Sequence, residues 1–133
     1  MVIVWLCVTL AVVAMGYVRL APSDPGKWHQ TPDGLQAGDF ANGVTRVVDT
    51  GGDGLARFDA IAVAEPHTKR LFGSVDEGMV TYVTRSVVFG FPDYTTARQV
   101  GDRLEIYGRA RFGKSDLGVN RARVENWIDA LEP

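Results

Sequence analysis

The chain has 133 residues, 46% of them apolar and 23% charged, with 14 Lys and Arg against 16 Asp and Glu. That gives room for one modest domain and excludes a disordered or collagen-like chain, because the apolar fraction is ordinary and the 15 glycines follow no period. One cysteine excludes a disulfide scaffold, and a net charge of −2 provides no overall basic footprint for nucleic acid.

Met1 to Val18 (MVIVWLCVTLAVVAMGYV) holds no charged side chain and only Thr9 as a polar one. Its rise of roughly 27 Å falls slightly short of a hydrocarbon core, and Arg19 can snorkel so that Leu20 and Ala21 complete the span. Residues 1–20 therefore read as an uncleaved transmembrane anchor. A cleaved secretory signal would need a basic leader and a small-x-small cleavage site, neither of which is convincing, and a buried core helix is the third alternative. The orientation arguments conflict. Arg19 and Lys27 behind the span favour a cytosolic domain by the basic-residue rule, whereas a short N-terminal anchor is the usual device for exporting the domain behind it. Cys7 lies inside the span and does not report a redox compartment. The expected placement is a single-pass protein of the inner membrane in the cell envelope, with its domain in the periplasm.

Residues 21–43 (APSDPGKWHQTPDGLQAGDFANG) carry three of the six prolines and no sustained apolar period, which predicts a tether lying against the domain, with Trp28, Leu35 and Phe40 as pegs. The α+β domain occupies residues 44–133. A short strand from Gly43 to Val48 ends at the glycines after Thr50. Leu55 to Glu65 is spaced as a helix, with Asp53 as cap candidate and Pro66 as its stop. Arg70 to Val75 and Met79 to Phe89 flank a hairpin turn at Asp76-Glu77-Gly78, and Tyr94 to Val100 and Arg103 to Phe112 flank a tighter one at Gly101-Asp102. Leu117 to Leu131 closes the chain as an amphipathic helix, with Val124, Trp127, Ile128 and Leu131 on its apolar stripe.

The order β-α-β-β-β-β-α predicts one curved antiparallel sheet with both helices on one face. It resembles the TATA-binding-protein-like and helix-grip folds, a likeness that says nothing about DNA. A sharper resemblance lies in Tyr82 to Ser86 (YVTRS), Phe89 to Tyr94 (FGFPDY) and above all Gly113 to Arg123 (GKSDLGVNRAR). Over roughly Arg70 to Leu131 these segments are similar to the bacterial domain of unknown function 1499 family. The resemblance implies a compact envelope-associated domain and supplies no catalytic residues.

Gly108 to Ser115 (GRARFGKS) fits the phosphate-binding pattern G-x-x-x-x-G-K-[ST]. Leu104, Ile106, Gly108, Ala110 and Phe112 nevertheless alternate with Arg103, Glu105, Tyr107, Arg109 and Arg111, so the segment reads better as continuing strand, and no cofactor is expected. His29 and His67 stand 38 residues apart in turn-like stretches, and no metal site is expected.

The polar residues with the best claims form two groups. Arg85 falls on an apolar strand face and is expected to pair with Asp93 or Asp116, while Ser115 and Asp116 cap the last helix beside Asn120. Tyr107, Arg109 and Arg111 should emerge on the sheet face left bare by the helices. Arg121 and Arg123 stand near the positive end of the last helix, where Asp116 or a bound anion should compensate them. From Arg98 to Arg123 there are seven basic residues against three acidic ones. Two function classes stay open. One is a membrane-tethered domain without catalysis that binds a small or amphipathic anionic ligand, an anionic lipid or a partner protein through Tyr107, Arg109, Arg111, Arg121 and Arg123. The other is an enzyme acting where Asp93, Tyr94, Asp116 and Asn120 converge.

Overall fold

The two-residue alternation behind the tether makes extended chain, and the turns between segments return each strand beside its predecessor. The computed structural model describes residues 1–132. Its helices are α1 (Val2–Leu20), α2 (Pro25–Trp28), α3 (Gly54–Ala64) and α4 (Val119–Leu131). The strands are β1 (Gly38–Phe40), β2 (Gly43–Asp49), β3 (Thr68–Ser74), β4 (Met79–Arg85), β5 (Pro92–Val100) and β6 (Arg103–Ala110). They form one antiparallel sheet in the order β1-β2-β6-β5-β4-β3, so the fold is α+β as the element order predicts.

One face of the sheet carries α3 and α4. Val44, Val80, Tyr82, Ala97, Leu104 and Ile106 meet Leu55, Phe58 and Ala62 of α3 and Val124, Trp127 and Leu131 of α4 in a single apolar cluster. Trp127 lies edge-on to Phe58 at 5.6 Å and to Tyr82 at 6.2 Å between centroids. Gly108 lets α4 approach, since a Cβ there would stand 3.0 Å from the Val124 side chain. One carboxylate is sunk into this layer. Asp59 accepts from Arg70 Nε at 2.8 Å and from the Tyr82 hydroxyl at 2.8 Å, which ties α3 to β3 and β4. Hydrogen bonding from Arg70 lowers the Asp59 pKa against the opposing effect of burial.

Two local expectations change. The strand expected to run from Met79 to Phe89 stops at Arg85, because Ser86 closes a loop over residues 86–91. Its amide donates to the Phe91 carbonyl, its hydroxyl accepts from the Phe91 amide, and Gly90 returns a bond to the Ser86 carbonyl at φ 72°. A closed ring of hydrogen bonds overrides the apolar alternation. Phe40 is not a peg: it ends the added edge strand β1 and is 54% exposed. Leu35 is buried and Trp28 half-buried, as expected of pegs.

Trp127→Ala should cost about 3–5 kcal/mol, the usual range for truncating an aromatic core residue. Chemical unfolding of the full chain followed by circular dichroism measures it, and an unchanged midpoint would mean that this stripe does not hold the core.

Candidate functional site

On the face away from α3 and α4, strand parity aligns Thr81, Tyr94, Thr96, Tyr107 and Arg109, since residues directly opposed in the register share a face. This face is not bare. Asp24 caps α2 by accepting from the Gly26 amide at 2.9 Å, and Pro25 begins the helix, so the tether turns down onto the sheet and lays the Trp28 ring on Tyr94 at 4.4 Å. Arg109 is sealed beneath and only 4% exposed. It donates to the Thr96 hydroxyl at 2.8 Å, to the Tyr107 carbonyl at 3.1 Å and to the Trp28 carbonyl, with the guanidinium 4.3 Å from the Tyr107 ring centroid.

None of the ion pairs among the described residues involves Arg109. Burial pulls its pKa down to about 10, so it stays charged at neutral pH, solvated by carbonyl, hydroxyl and ring faces. His29 extends the web by its Nδ1 contact with the Thr81 hydroxyl at 2.7 Å, and Thr81 meets Thr96 at 2.8 Å. Burial lowers the His29 pKa. Arg111 donates to the Tyr94 hydroxyl and to the Pro22 carbonyl, each at 3.1 Å.

The five residues expected to gather an anion therefore do not share one open surface. Tyr107, Arg109 and Arg111 serve the tether. Arg121 pairs with Asp39 at 3.6 Å, and Arg123 donates to Asp93 at 3.2 Å and to the Asn120 side-chain Oδ1 at 3.0 Å. The acidic compensation of these last two arginines comes from Asp39 and Asp93, not from Asp116 as expected. Arg85 does not pair with Asp93 or Asp116. It donates to the Gly90 carbonyl at 3.0 Å and the Val18 carbonyl at 3.4 Å. The reason is parity: Asp93 is opposite Thr84, so Arg85 and Asp93 point to opposite faces. The same alternation separates Tyr94 from Asp93 and removes it from the second expected group.

Asp93, Asp116 and Asn120 do come together, at the end of the sheet where α4 begins. Left-handed residues at Gly113, Leu117 and Gly118 wrap the chain around Asp116. Its carboxylate then accepts from the Gly118 amide at 2.9 Å, the Asn120 amide at 3.1 Å and the Asn120 side chain at 2.9 Å. Ser115 accepts from the Leu117 amide at 3.2 Å, ahead of the helix, so of the two expected caps Asp116 reaches a free amide of α4 and Ser115 holds the turn before it. Asn120 is fully buried and joins Asp116 to Arg123, and through it to Asp93.

Over this network opens a crevice of about 410 Å³, with Asp93, Asp116, Ser86 and Ser115 on its polar side and Phe91, Ala110, Phe112 and Val119 on its apolar side. Its two carboxylates are pushed apart. Burial raises the Asp93 pKa and the Arg123 charge offsets only part of that. Burial works the same way on Asp116, but hydrogen bonds from Asn120 and the backbone outweigh it and leave the pKa lowered. Both serine oxygens already accept backbone amides, and no histidine lines the crevice. Among the described residues no cluster of His, Cys, Asp and Glu is arranged to hold a metal ion. The resemblance to a phosphate loop fails because Gly108, Arg109 and Ala110 lie in β6, paired with β5 along its length. The apolar wall of Phe91 and Phe112 is not among the expected site residues: the pattern puts Phe112 at a strand end and Phe91 in the connection after Phe89. Their signal was a run of phenylalanines beside glycines.

Because the folded state raises the Asp93 pKa, it holds that proton more tightly than the unfolded chain. Stability from this group is complete below the unfolded carboxylate range and is lost as pH rises through the folded pKa. Asp93→Asn should flatten that decline in urea unfolding measured across mildly acidic pH, and a profile parallel to that of the unaltered chain would refute the assignment.

No curated protein matches the chain. Residues 45–131 match the family described as protein of unknown function DUF1499, which extends the likeness seen from Arg70 onward to take in β2 and α3. The matched part contains all nine residues around the crevice and leaves out α1 and the tether. With β3 to β6, most of β2, both packed helices and the crevice inside that match, the chain belongs to the DUF1499 family of proteins of unknown function.

Proposed function

We propose that this chain is a membrane-anchored binding protein of the cell envelope, with α1 crossing the inner membrane, the domain in the periplasm, and the crevice beside Asp93 holding a small amphipathic ligand without transforming it. The crevice carries this reading. It sets an apolar wall of Phe91, Ala110 and Phe112 against two acidic groups, and its two serine oxygens are held in place by the Phe91 and Leu117 amides. Anchoring is supported by α1, which is long and apolar enough to cross a membrane and has no buried residue.

The carboxylates change the expected charge of the ligand. An anion on Tyr107, Arg109 and Arg111 would have to displace the tether, whereas a hydroxyl or amine head can donate to Asp93 or Asp116. A second reading has one specific observation in its favour. A carboxyl with raised pKa beside one with lowered pKa is the pattern of a general acid and base, so Asp93, Asp116 and Asn120 remain the catalytic candidates if the ligand is altered.

Amide spectra of the full chain in lipid nanodiscs, titrated with hexylamine, hexanol and hexanoate, test the site. Hexylamine and hexanol should shift the amides of Phe91, Asp93, Phe112 and Asp116, and hexanoate should not. Shifts spread over the surface, or equal ones with hexanoate, would refute it. Orientation is checked separately by a C-terminal fusion to a reporter that works only after export. Activity is expected, and a fusion active only in the cytosol would reverse the placement.

A further inference from the structure

The loop over residues 86–91 presents Val87, Val88 and Phe89 at 76%, 67% and 49% exposure, the most apolar exposed segment outside α1. Its position is fixed by the foot of α1. Arg19 donates to the Val88 carbonyl at 2.9 Å and to the Phe89 carbonyl at 3.3 Å, and Arg85 reaches from the sheet to the Val18 and Gly90 carbonyls. Phe89 and Phe91 form an apolar groove with Ala14, Met15 and Val18 of α1. Ala14 lies six residues before the end of the helix, so the groove reaches roughly 9 Å back along the apolar helix from its last turn.

We propose that residues 87–89 are a second membrane contact, dipping into the bilayer beside the last turns of α1, and that this brings the mouth of the crevice to the membrane surface. The occupant is the headgroup and upper acyl region of the bilayer. It is indicated by continuity, because the loop touches the same turns of α1 that must lie near the end of the membrane span. A loop at that depth occupies the zone where aromatic and aliphatic side chains of interfacial proteins sit, with Arg19 level with the headgroups. Phe91 lines both the groove against α1 and the crevice, so the two are joined by one side chain. An amphipathic ligand then passes between bilayer and crevice without crossing water. This inference rests on α1 spanning the membrane.

The test uses the full chain in phosphatidylcholine vesicles with an environment-sensitive dye on a single cysteine. The positions are native Cys7 within α1, Val88→Cys in a Cys7→Ser background, and Asp76→Cys in the same background at the far end of the sheet. The Val88 dye should shift to the blue. Quenchers attached near the carbonyl end of the lipid chains should dim it more than quenchers at the chain terminus. The Asp76 dye should respond to neither, and the Cys7 dye should be quenched from within the bilayer. A quenched Cys7 dye with a Val88 dye in water overturns the loop contact alone. A blue-shifted Val88 dye that no lipid quencher reaches assigns the loop to a protein partner and also overturns it. An unquenched Cys7 dye removes the anchor and the inference with it.

Discussion

A guanidinium buried without a carboxylate holds this molecule together. Arg109 lies at the centre of the sheet face opposite the helices, and its protons go to the Trp28 carbonyl, the Thr96 hydroxyl and the Tyr107 carbonyl beneath stacked aromatic rings. Burying a cation this way is costly, and it is tolerated because every partner is already placed by the sheet or by the capped turn of α2. The consequence reaches beyond the residue itself. A sheet with one face left open would need a partner or solvent-compatible side chains, whereas here the chain supplies its own cover. The tether becomes part of the fold, and α1 is held close to the domain through Arg111, Arg19 and Arg85.

The same economy of backbone acceptors shapes the crevice. Asp116 accepts the Gly118 and Asn120 amides where α4 begins, and Arg123 leans from the first turns of that helix onto Asp93. Each polar group is held by another, so the acidic rim is rigid although it stands at the end of a sheet and beside two loops. Rigidity suits recognition of a small ligand, because little side-chain freedom is lost on binding. Within the string Ser115 to Arg121, Ser115, Asp116 and Val119 line the crevice, and Arg121 turns to Asp39.

The placement of charge relative to apolar surface then becomes coherent. Arg19 and Arg85 point into carbonyls of the loop over residues 86–91 and of the foot of α1, the acidic pair faces the crevice, and the exposed Val87, Val88 and Phe89 belong to that loop. Had Arg85 turned toward Asp93, the loop over residues 86–91 would have kept its Arg19 bonds to α1 but lost the bridge from the sheet through Gly90 and Val18.

Periodicity alone determined much of this protein. The uncharged first helix, the hairpins about Gly78 and Gly101, the α3 segment and the stripe of α4 were all legible, because each rests on local spacing and on turn residues whose conformational demands are local. The capping role of Asp116 was legible for the same reason. Partnership across the fold was not. Strand parity forbade the pairing of Arg85 with Asp93 once the register was set by β4 and β5, and it sent Tyr94 to the tether while Asp93 joined the crevice. Arg109 was recognised as facing away from the helices, yet only the folded tether decided that this direction leads into an interior. Tertiary structure decides such matters because a side chain's neighbours across a sheet come from segments far along the chain, and no spacing within one segment encodes them.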